Sequence, residues 1–141
     1  MNSNIKMTLK DFEINIKIKL AGLWTATTFC YLYGDYFELY TPGKIDSLIT
    51  GQNVLGSPMI LLIASLILTI PPLMIAFSLI LNAKMNRLLN IISGSLFTLM
   101  MILIAIGSLT AWYSFYVFLA LVEATFTFII VLYAIKWPKS N

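Results

Sequence analysis

The order of apolar and polar positions divides the chain into four long apolar runs separated by short polar connections. A bilayer core about 30 Å thick requires about 20 helical residues to cross it, and each run reaches that length. Because a backbone in lipid must satisfy its own hydrogen bonds, and because the runs lack the alternation of barrel strands, they are predicted to be helices. The predicted spans cover approximately residues 20–40, 58–81, 88–109 and 112–135.

The segment before the first run, residues 1–19, mixes apolar and basic residues. Residues 12–19 alternate with period two, but a second set of apolar positions fits helical spacing, so periodicity does not choose between strand and helix. That second set is Ile5, Leu9, Phe12 and Ile16. We expect residues 1–19 to be an amphipathic lead-in that lies on the cytoplasmic membrane surface.

The connections between the runs predict how neighbouring helices pair. Residues 41–43 (Thr-Pro-Gly) are expected to end the first helix, and Ile45, Leu48 and Ile49 to form a short interfacial turn. The short loop at residues 82–87 predicts a hairpin of the second and third helices. The third connection is almost absent, which predicts another hairpin from the third and fourth helices.

Composition supports a membrane protein of one domain. The 141 residues are 60% hydrophobic and 11% charged, whereas globular proteins are about 45–50% apolar and about 25% charged. This balance excludes a disordered chain and argues against an ordinary soluble domain. The predicted fold class is an all-α integral membrane protein, a bundle of four transmembrane helices that uses almost the whole chain.

The basic residues predict the orientation of the bundle. Four spans place both termini and the second connection on one side, and eight of the nine Lys and Arg residues belong to that side, which leaves only Lys44 on the other. Both termini are therefore expected in the cytoplasm, with Trp24 toward the inner interface. The net charge of +3 then indicates contact with the lipid bilayer rather than with nucleic acid.

The residue types exclude much enzyme chemistry. The chain has no histidine and one cysteine, Cys30, so the commonest general base is absent and no cysteine-ligated metal site or internal disulfide is possible. The sequence also lacks a Gly-rich phosphate loop, a zinc pattern and a nucleophile elbow. No cofactor and no metal are expected.

Glu123 is the first candidate site residue because of its depth. It lies eleven residues after Trp112, which is roughly 16 Å along a helix and close to the bilayer midplane. A charge at that depth costs about 2.5–3.5 kcal/mol, so the side chain is expected to face the bundle or a wet cavity. It is interpreted as a ligand or proton site, or alternatively as a carboxyl that only bonds a neighbouring helix.

Two helix faces complete the candidate site. Polar side chains recur at helical spacing on the first span, and small or polar ones on the fourth, and the two faces could form one wet pocket that attracts a cation. An alternative for the first face is an interfacial belt at headgroup level, which suits Glu38 best. The first face comprises Trp24, Thr28, Tyr31, Asp35 and Glu38, and the fourth Tyr116, Ala120, Glu123 and Thr127.

The second and third spans carry features of helix geometry. Pro71 and Pro72 remove two backbone donors, which predicts a break or kink that frees the carbonyls of Ile67 and Leu68. Such a break could move in a transporter, or it could be a static kink satisfied by nearby hydroxyls or water. On the third span the four-residue repeat of Asn90, Gly94 and Thr98 indicates close helix packing.

Several motifs together resemble a known family. The segments IKLAGLW (residues 18–24) and YLYGDYFELYTPG (residues 31–43) are similar to a bacterial family of small four-span membrane proteins, catalogued as domain of unknown function 6326. The resemblance implies a bacterial inner-membrane location and brings no established activity. Further matching positions are Ile70-Pro71, Met74, Asn86-Arg87, Asn90-Ile91 and residues 133–138.

Three functional hypotheses follow from these features. The first is a protein that binds or transports a small cationic or lipophilic ligand, with proton coupling at Glu123 and with Asp35 and Tyr31 attracting the ligand. The second is a structural or accessory membrane subunit, and the third an enzyme acting on a lipid. Because four spans enclose only a narrow cavity, a carrier is expected to be a homodimer or larger.

Overall fold

The computed structural model describes Leu9 and residues 11–138, and in these residues the regular structure is entirely helical, with no strand. The predicted all-α fold is therefore confirmed. A 3₁₀ turn at Ala111–Tyr113 leads into the last helix. The α-helices are α1 (Ile16–Glu38), α2 (Lys44–Ile49), α3 (Pro58–Ile80), α4 (Ala83–Gly107) and α5 (Ser114–Ile135).

Three helical segments are long and apolar enough to cross a membrane: α3, α4 and the run Ala111–Ile135. The fourth long helix, α1, contains 23 residues, as many as α3. It carries more Thr, Tyr and charged side chains than the other three, which makes it the least apolar of the four long helices.

The first helix begins at Ile16, four residues before the predicted start. Asn15 caps it, because its Oδ1 accepts a 2.9 Å hydrogen bond from the backbone N–H of Lys17. Residues 11–15 adopt no regular structure, so residues 16–19 are the only part of the predicted lead-in that is helical in the described chain. The rest of that segment, residues 1–8 and Lys10, lies outside the described residues.

The prediction of a loop at residues 82–87 is also wrong, because a helix begins within this segment. The side chain of Asn82 accepts a 3.0 Å hydrogen bond from the N–H of Met85, and α4 starts at Ala83. Lys84 and Arg87 therefore lie on the first turns of a helix. Basic side chains suggest a loop, but their long stems let a helix carry them to a polar boundary.

The connection after α1 follows the prediction closely. The first helix ends at Glu38, and the predicted short turn of Ile45, Leu48 and Ile49 is the helix α2. Gly43 precedes α2 with φ of 76° and Gly51 follows it with φ of 70°. Both positions use the left-handed backbone conformation that glycine adopts without strain.

The four long helices form an open bundle. α1 packs against both α3 and α5, and α5 packs along α4, whereas α3 and α4 contact each other only sparsely. A core of large side chains lies inside this arrangement, and its buried members are Leu20, Trp24, Met74, Phe97 and Ile130. A second cluster of smaller residues joins α4 to α5 and comprises Met101, Ala105, Ala120 and Ala124.

α4 and α5 approach each other closely at Gly94. A Cβ atom at this position would lie 2.8 Å from Cγ2 of Val131 and 3.2 Å from the carbonyl oxygen of Thr127. One turn later, Thr98 Oγ1 donates a 2.8 Å hydrogen bond to Thr127 Oγ1. The packing interpretation of Asn90, Gly94 and Thr98 is confirmed, and so is the hairpin of the last two helices.

Trp24 is buried inside the bundle, whereas a tryptophan of an interfacial belt exposes its ring at the membrane surface. Its side chain is 0% exposed, and Nε1 donates a 2.7 Å hydrogen bond to Oδ1 of Asn90. Asn90 in turn donates to Oδ1 of Asn86 at 2.7 Å, and Asn86 donates to the carbonyl of Ser78 at 2.6 Å. This buried chain of hydrogen bonds joins α1, α4 and α3, which explains why the indole is drawn inward.

The helix α3 continues through Pro71 and Pro72, so the two prolines do not interrupt it. Each proline lacks the N–H that would normally bond the carbonyl four residues earlier. The hydroxyls of Ser65 and Thr69 do not replace these donors, because they bond the carbonyls of Leu61 and Ser65. Those two carbonyls, of residues 67 and 68, therefore lack both the usual i+4 N–H and a hydroxyl substitute.

Candidate functional site

A cavity of about 600 Å³ lies among the four long helices at the end of the bundle that carries α2. We call this end the α2 end, and the opposite one, with the connection between α3 and α4, the Asn82 end. The helix α2 and the loop residues Val54 and Leu55 form the outermost wall of the cavity. Its charged and tyrosine lining consists of Tyr31, Asp35, Glu38, Lys44, Tyr116 and Glu123.

The faces of α1 and α5 that helical spacing predicted do meet at this cavity. Tyr31, Asp35 and Glu38 come from α1, at intervals of four and three residues, and Tyr116 and Glu123 come from α5. The two helices lie close together at Gly34, where an added Cβ atom would lie 3.5 Å from the Tyr116 ring, in ordinary van der Waals contact. Five of the six predicted ligand residues therefore line one cavity.

Thr127 is the predicted residue that the cavity does not include. It is fully buried one turn closer to the Asn82 end than Glu123. Its hydroxyl is within hydrogen-bond distance of Thr98 Oγ1 at 2.8 Å and of the carbonyl of Glu123 at 2.9 Å. These contacts make Thr127 a packing residue between α4 and α5 rather than part of the cavity wall.

Glu123 lies at the base of the cavity. The residue is 3% exposed, and its Oε2 has no hydrogen-bond partner among the described residues. The hydroxyl of Tyr31, also on the cavity wall, is buried and without a partner there as well. Buried polar atoms nearly always have a hydrogen-bond partner, and a buried polar atom without one costs about 1–3 kcal/mol. These two unpartnered atoms therefore mark a place where a ligand donor can bind.

Glu38 has a different environment from Glu123. Its Oε1 lies 2.8 Å from Nζ of Lys44 and accepts a 3.2 Å hydrogen bond from the hydroxyl of Tyr113. These contacts tie the end of α1 to the start of α2 and to the 3₁₀ turn before α5. The Lys44 ammonium also balances the charge of Glu38.

Two carboxyl groups of the cavity lack a cationic partner in the part of the chain that the structure describes. Asp35 is exposed and Glu123 is buried, and Glu38 with Lys44 forms the ion pair found there. When all these groups are ionised, the three carboxylates and one ammonium leave the cavity with a net charge of −2. This excess favours a cation over an anion as ligand.

The remaining wall of the cavity is apolar. α3 contributes Ala64, Ile67 and Leu68, and α4 contributes three further residues, which are Met100, Met101 and Ile104. Ile67 and Leu68 are also the residues whose carbonyls lose their donors to Pro71 and Pro72. The predicted proline feature therefore adjoins the cavity, although α3 is not broken there.

Sequence reasoning missed two parts of this site. Lys44 was interpreted only as a topology signal, and Met100 and Met101 were not among the predicted site residues. The turn at residues 41–43 was the signal for Lys44, because a chain reversal after Glu38 returns the next basic residue to that carboxylate. The methionines had no comparable signal. Across Leu9 and residues 11–138 no group of three or more His, Cys, Asp or Glu residues is arranged to hold a metal ion.

Comparison with known proteins gives a family but no function. Residues 7–141 match the model of a family described as "Family of unknown function (DUF6326)". The chain therefore belongs to this family, as its motifs predicted. No curated protein and no solved structure matches the chain.

Proposed function

We propose that this member of the DUF6326 family is a multi-pass protein of the cell inner membrane that binds a small organic cation in the cavity at Glu123. The observation that carries the proposal is the buried carboxyl of Glu123, with Oε2 unpartnered among the described residues, at the base of a cavity of about 600 Å³. Ligand cavities of about 300–1,000 Å³ are typical of small-molecule sites.

In the proposed topology four helices cross the membrane and both termini lie in the cytoplasm. A helix of 23 residues is about 34 Å long, enough for α1 to cross beside α3 and α5, between which it packs. Basic side chains gather at the Asn82 end, where Lys17 donates to the carbonyl of Leu81 at 2.7 Å and Arg87 to that of Ala134 at 3.1 Å. Cations favour the cytoplasmic side and the carboxyl ends of helices.

The proposed ligand chemistry follows from the cavity wall. Asp35 and Glu123 supply negative charge, and the rings of Tyr31 and Tyr116 supply aromatic surfaces that attract cations. The apolar lining from α3 and α4 suits the hydrocarbon part of a ligand. An organic cation satisfies both sets of contacts, whereas a strongly hydrated metal ion would satisfy only the carboxylates.

We propose that cation binding at Glu123 serves transport and is coupled to the release of a proton. A cation and a proton compete for the same carboxyl, so binding a cation to protonated Glu123 releases one proton. Cation affinity is therefore expected to fall as the pH is lowered. One chain already encloses a cavity of sufficient volume, so a homodimer or larger oligomer remains a prediction that binding itself does not require.

The test is binding of tetraphenylphosphonium, a monovalent organic cation, to the full chain in lipid nanodiscs by calorimetry. Glu123→Gln keeps the size of the side chain and is expected to weaken binding about tenfold or more, and to abolish the proton release. Asp46→Asn is the matched control, because Asp46 is an exposed acid on α2 that does not line the cavity. Absence of binding to the natural chain, or equal binding by Glu123→Gln, would contradict the proposal.

A second candidate function is an enzyme that acts on a lipid. It is favoured by one observation, that Asp35 and Glu123 line the same cavity and could act as an acid and a base. Mass spectrometry of the nanodisc lipids after incubation tests it. New lipid species that Glu123→Gln fails to produce would favour this candidate over cation transport.

A further inference from the structure

We infer that the ligand of the cavity is an amphipathic cation dissolved in the bilayer, and that it enters sideways between α3 and α4 at the α2 end. This inference rests on the proposed function and adds the class of ligand and its route. Three observations indicate the route: the position of the junction between α3 and α4, the residues that line the gap between them, and the packing of the other sides of the cavity.

The junction of α3 and α4 lies at the Asn82 end. Ser78 of α3 accepts hydrogen bonds from two residues of α4, Asn86 at 2.6 Å and Asn90 at 3.5 Å. The two helices contact each other only sparsely, unlike the other neighbouring pairs in the bundle. Toward the α2 end, residues of both helices line the cavity.

The gap between the two helices is lined by apolar side chains. Ala64, Ile67 and Leu68 lie on the α3 side, and Met100 and Ile104 on the α4 side. Ile67 and Leu68 are 38% and 40% exposed, so the cavity wall continues to the surface of the bundle at this place. At membrane depth an apolar surface of this kind faces acyl chains, because its exposure to water is unfavourable.

The other sides of the cavity carry packed or paired residues. Toward the Asn82 end, Trp24 and Phe97 are fully buried and their rings pack edge to face, 6.1 Å apart. Between α1 and α5 the Tyr116 ring lies against Gly34. At the α2 end the ion pair of Glu38 with Lys44 crosses from α1 to α2. α1 packs along α3 and α5, and α5 packs along α4, so the interface of α3 with α4 is the least packed of these four and offers the route.

The route selects the chemistry of the ligand. A molecule that arrives through an apolar gap must first partition into the bilayer, so it needs a hydrocarbon or aromatic body. Its cationic group then meets Asp35, which is exposed, before it reaches the buried Glu123. Small hydrated cations without an apolar body do not meet the first requirement.

Two probes of equal charge test the ligand class. Tetraphenylphosphonium has a large apolar body and tetramethylammonium has almost none. In nanodiscs we expect tetraphenylphosphonium to bind the full chain at least about a hundredfold more tightly. Equal affinities would overturn the inferred ligand class, even if both probes required Glu123 as the proposed function demands.

Bulky substitutions in the gap test the route. Ala64→Phe narrows it from α3, and Ile104→Trp narrows it from α4 if the first variant fails to fold. Either is expected to slow both association and dissociation of a dimethylaminostyryl-pyridinium dye, a lipophilic cation, about tenfold in stopped-flow fluorescence. Ala76→Phe is the matched control, because Ala76 is an exposed residue of the same helix that does not line the cavity.

The outcomes separate the inference from the proposed function. Slower association together with slower dissociation in the gap variants, but not in Ala76→Phe, supports entry between α3 and α4. Association and dissociation rates equal to those of the natural chain would overturn the route. Faster dissociation alone would also overturn it, because it indicates that the new side chain fills the cavity instead of narrowing the gap. If Glu123→Gln still binds the dye normally, the proposed function itself fails, whatever the gap variants do.

Discussion

The indole Nε1 of Trp24 and the amide Oδ1 of Asn90 are joined by a buried hydrogen bond of 2.7 Å, across 66 positions of the chain. It connects α1 with α4 on the Asn82 side of the cavity, and Phe97 packs against the same indole. The polar chain continues through Asn86 to the carbonyl of Ser78. One network therefore fixes three of the four long helices below the site.

Trp24→Phe is expected to lower the free energy of unfolding by about 1–3 kcal/mol, because it leaves Oδ1 of Asn90 buried without its donor. A double-mutant cycle with Asn90→Leu is expected to give a coupling of about 0.5–2 kcal/mol. Unfolding of the purified protein in mixed detergent measures both quantities. Trp112→Phe is the control, since Trp112 is 65% exposed, and it should change stability by less than about 0.5 kcal/mol. Equal effects at the two tryptophans would contradict the prediction.

Gly94→Val is expected to destabilise the contact of α4 with α5 by about 1–3 kcal/mol. The reason is space, because an added Cβ would lie 2.8 Å from Val131 and 3.2 Å from the backbone oxygen of Thr127. Gly22→Ala is the contrasting control. No atom lies within 4 Å of its added Cβ, and the gain in helix propensity is about 0.5–1 kcal/mol. Detergent unfolding should move in opposite directions for the two variants.

The helices and most of the site followed from the sequence because both depend on local periodicity. Spacing of three and four residues was sufficient to place Tyr31 with Asp35 and Tyr116 with Glu123 on shared faces, and these faces do meet. Thr127 was assigned to the correct face of α5, but it lies one turn below the cavity, since spacing does not indicate where a cavity ends.

The parts that the sequence did not predict depend on tertiary geometry. The short connection of α3 to α4 predicted a hairpin, but loop length does not determine how closely two helices pack, and these two contact each other only sparsely. The caps Asn15 and Asn82 extended two helices beyond their apolar runs. The inward position of Trp24 depended on a partner in a distant helix that no local pattern shows.

The proposed topology predicts which engineered cysteines a membrane-impermeant maleimide can reach in intact cells. In a Cys30→Ser background, Gln52→Cys is expected to react, because Gln52 is an exposed residue in the connection at the α2 end. Lys84→Cys at the Asn82 end is the matched control, and it should react only after the membrane is permeabilised. Reaction of both cysteines in intact cells, or of Lys84→Cys alone, would contradict four spans with cytoplasmic termini.

Lys44→Gln is expected to tighten tetraphenylphosphonium binding about threefold to tenfold, because it removes the one positive charge among the described residues that line the cavity. The change in stability should stay below about 1 kcal/mol, since Lys44 and Glu38 are both partly exposed and such pairs contribute little. Lys84→Gln, at the far end of the bundle, is the control for the loss of a charge. The gain should shrink at high salt, because ions screen the removed repulsion. Weaker binding by Lys44→Gln would instead mean that the ion pair of Lys44 with Glu38 shapes the cavity for its ligand. The contribution of that ion pair to binding would then exceed the repulsion between the Lys44 ammonium and the cationic ligand.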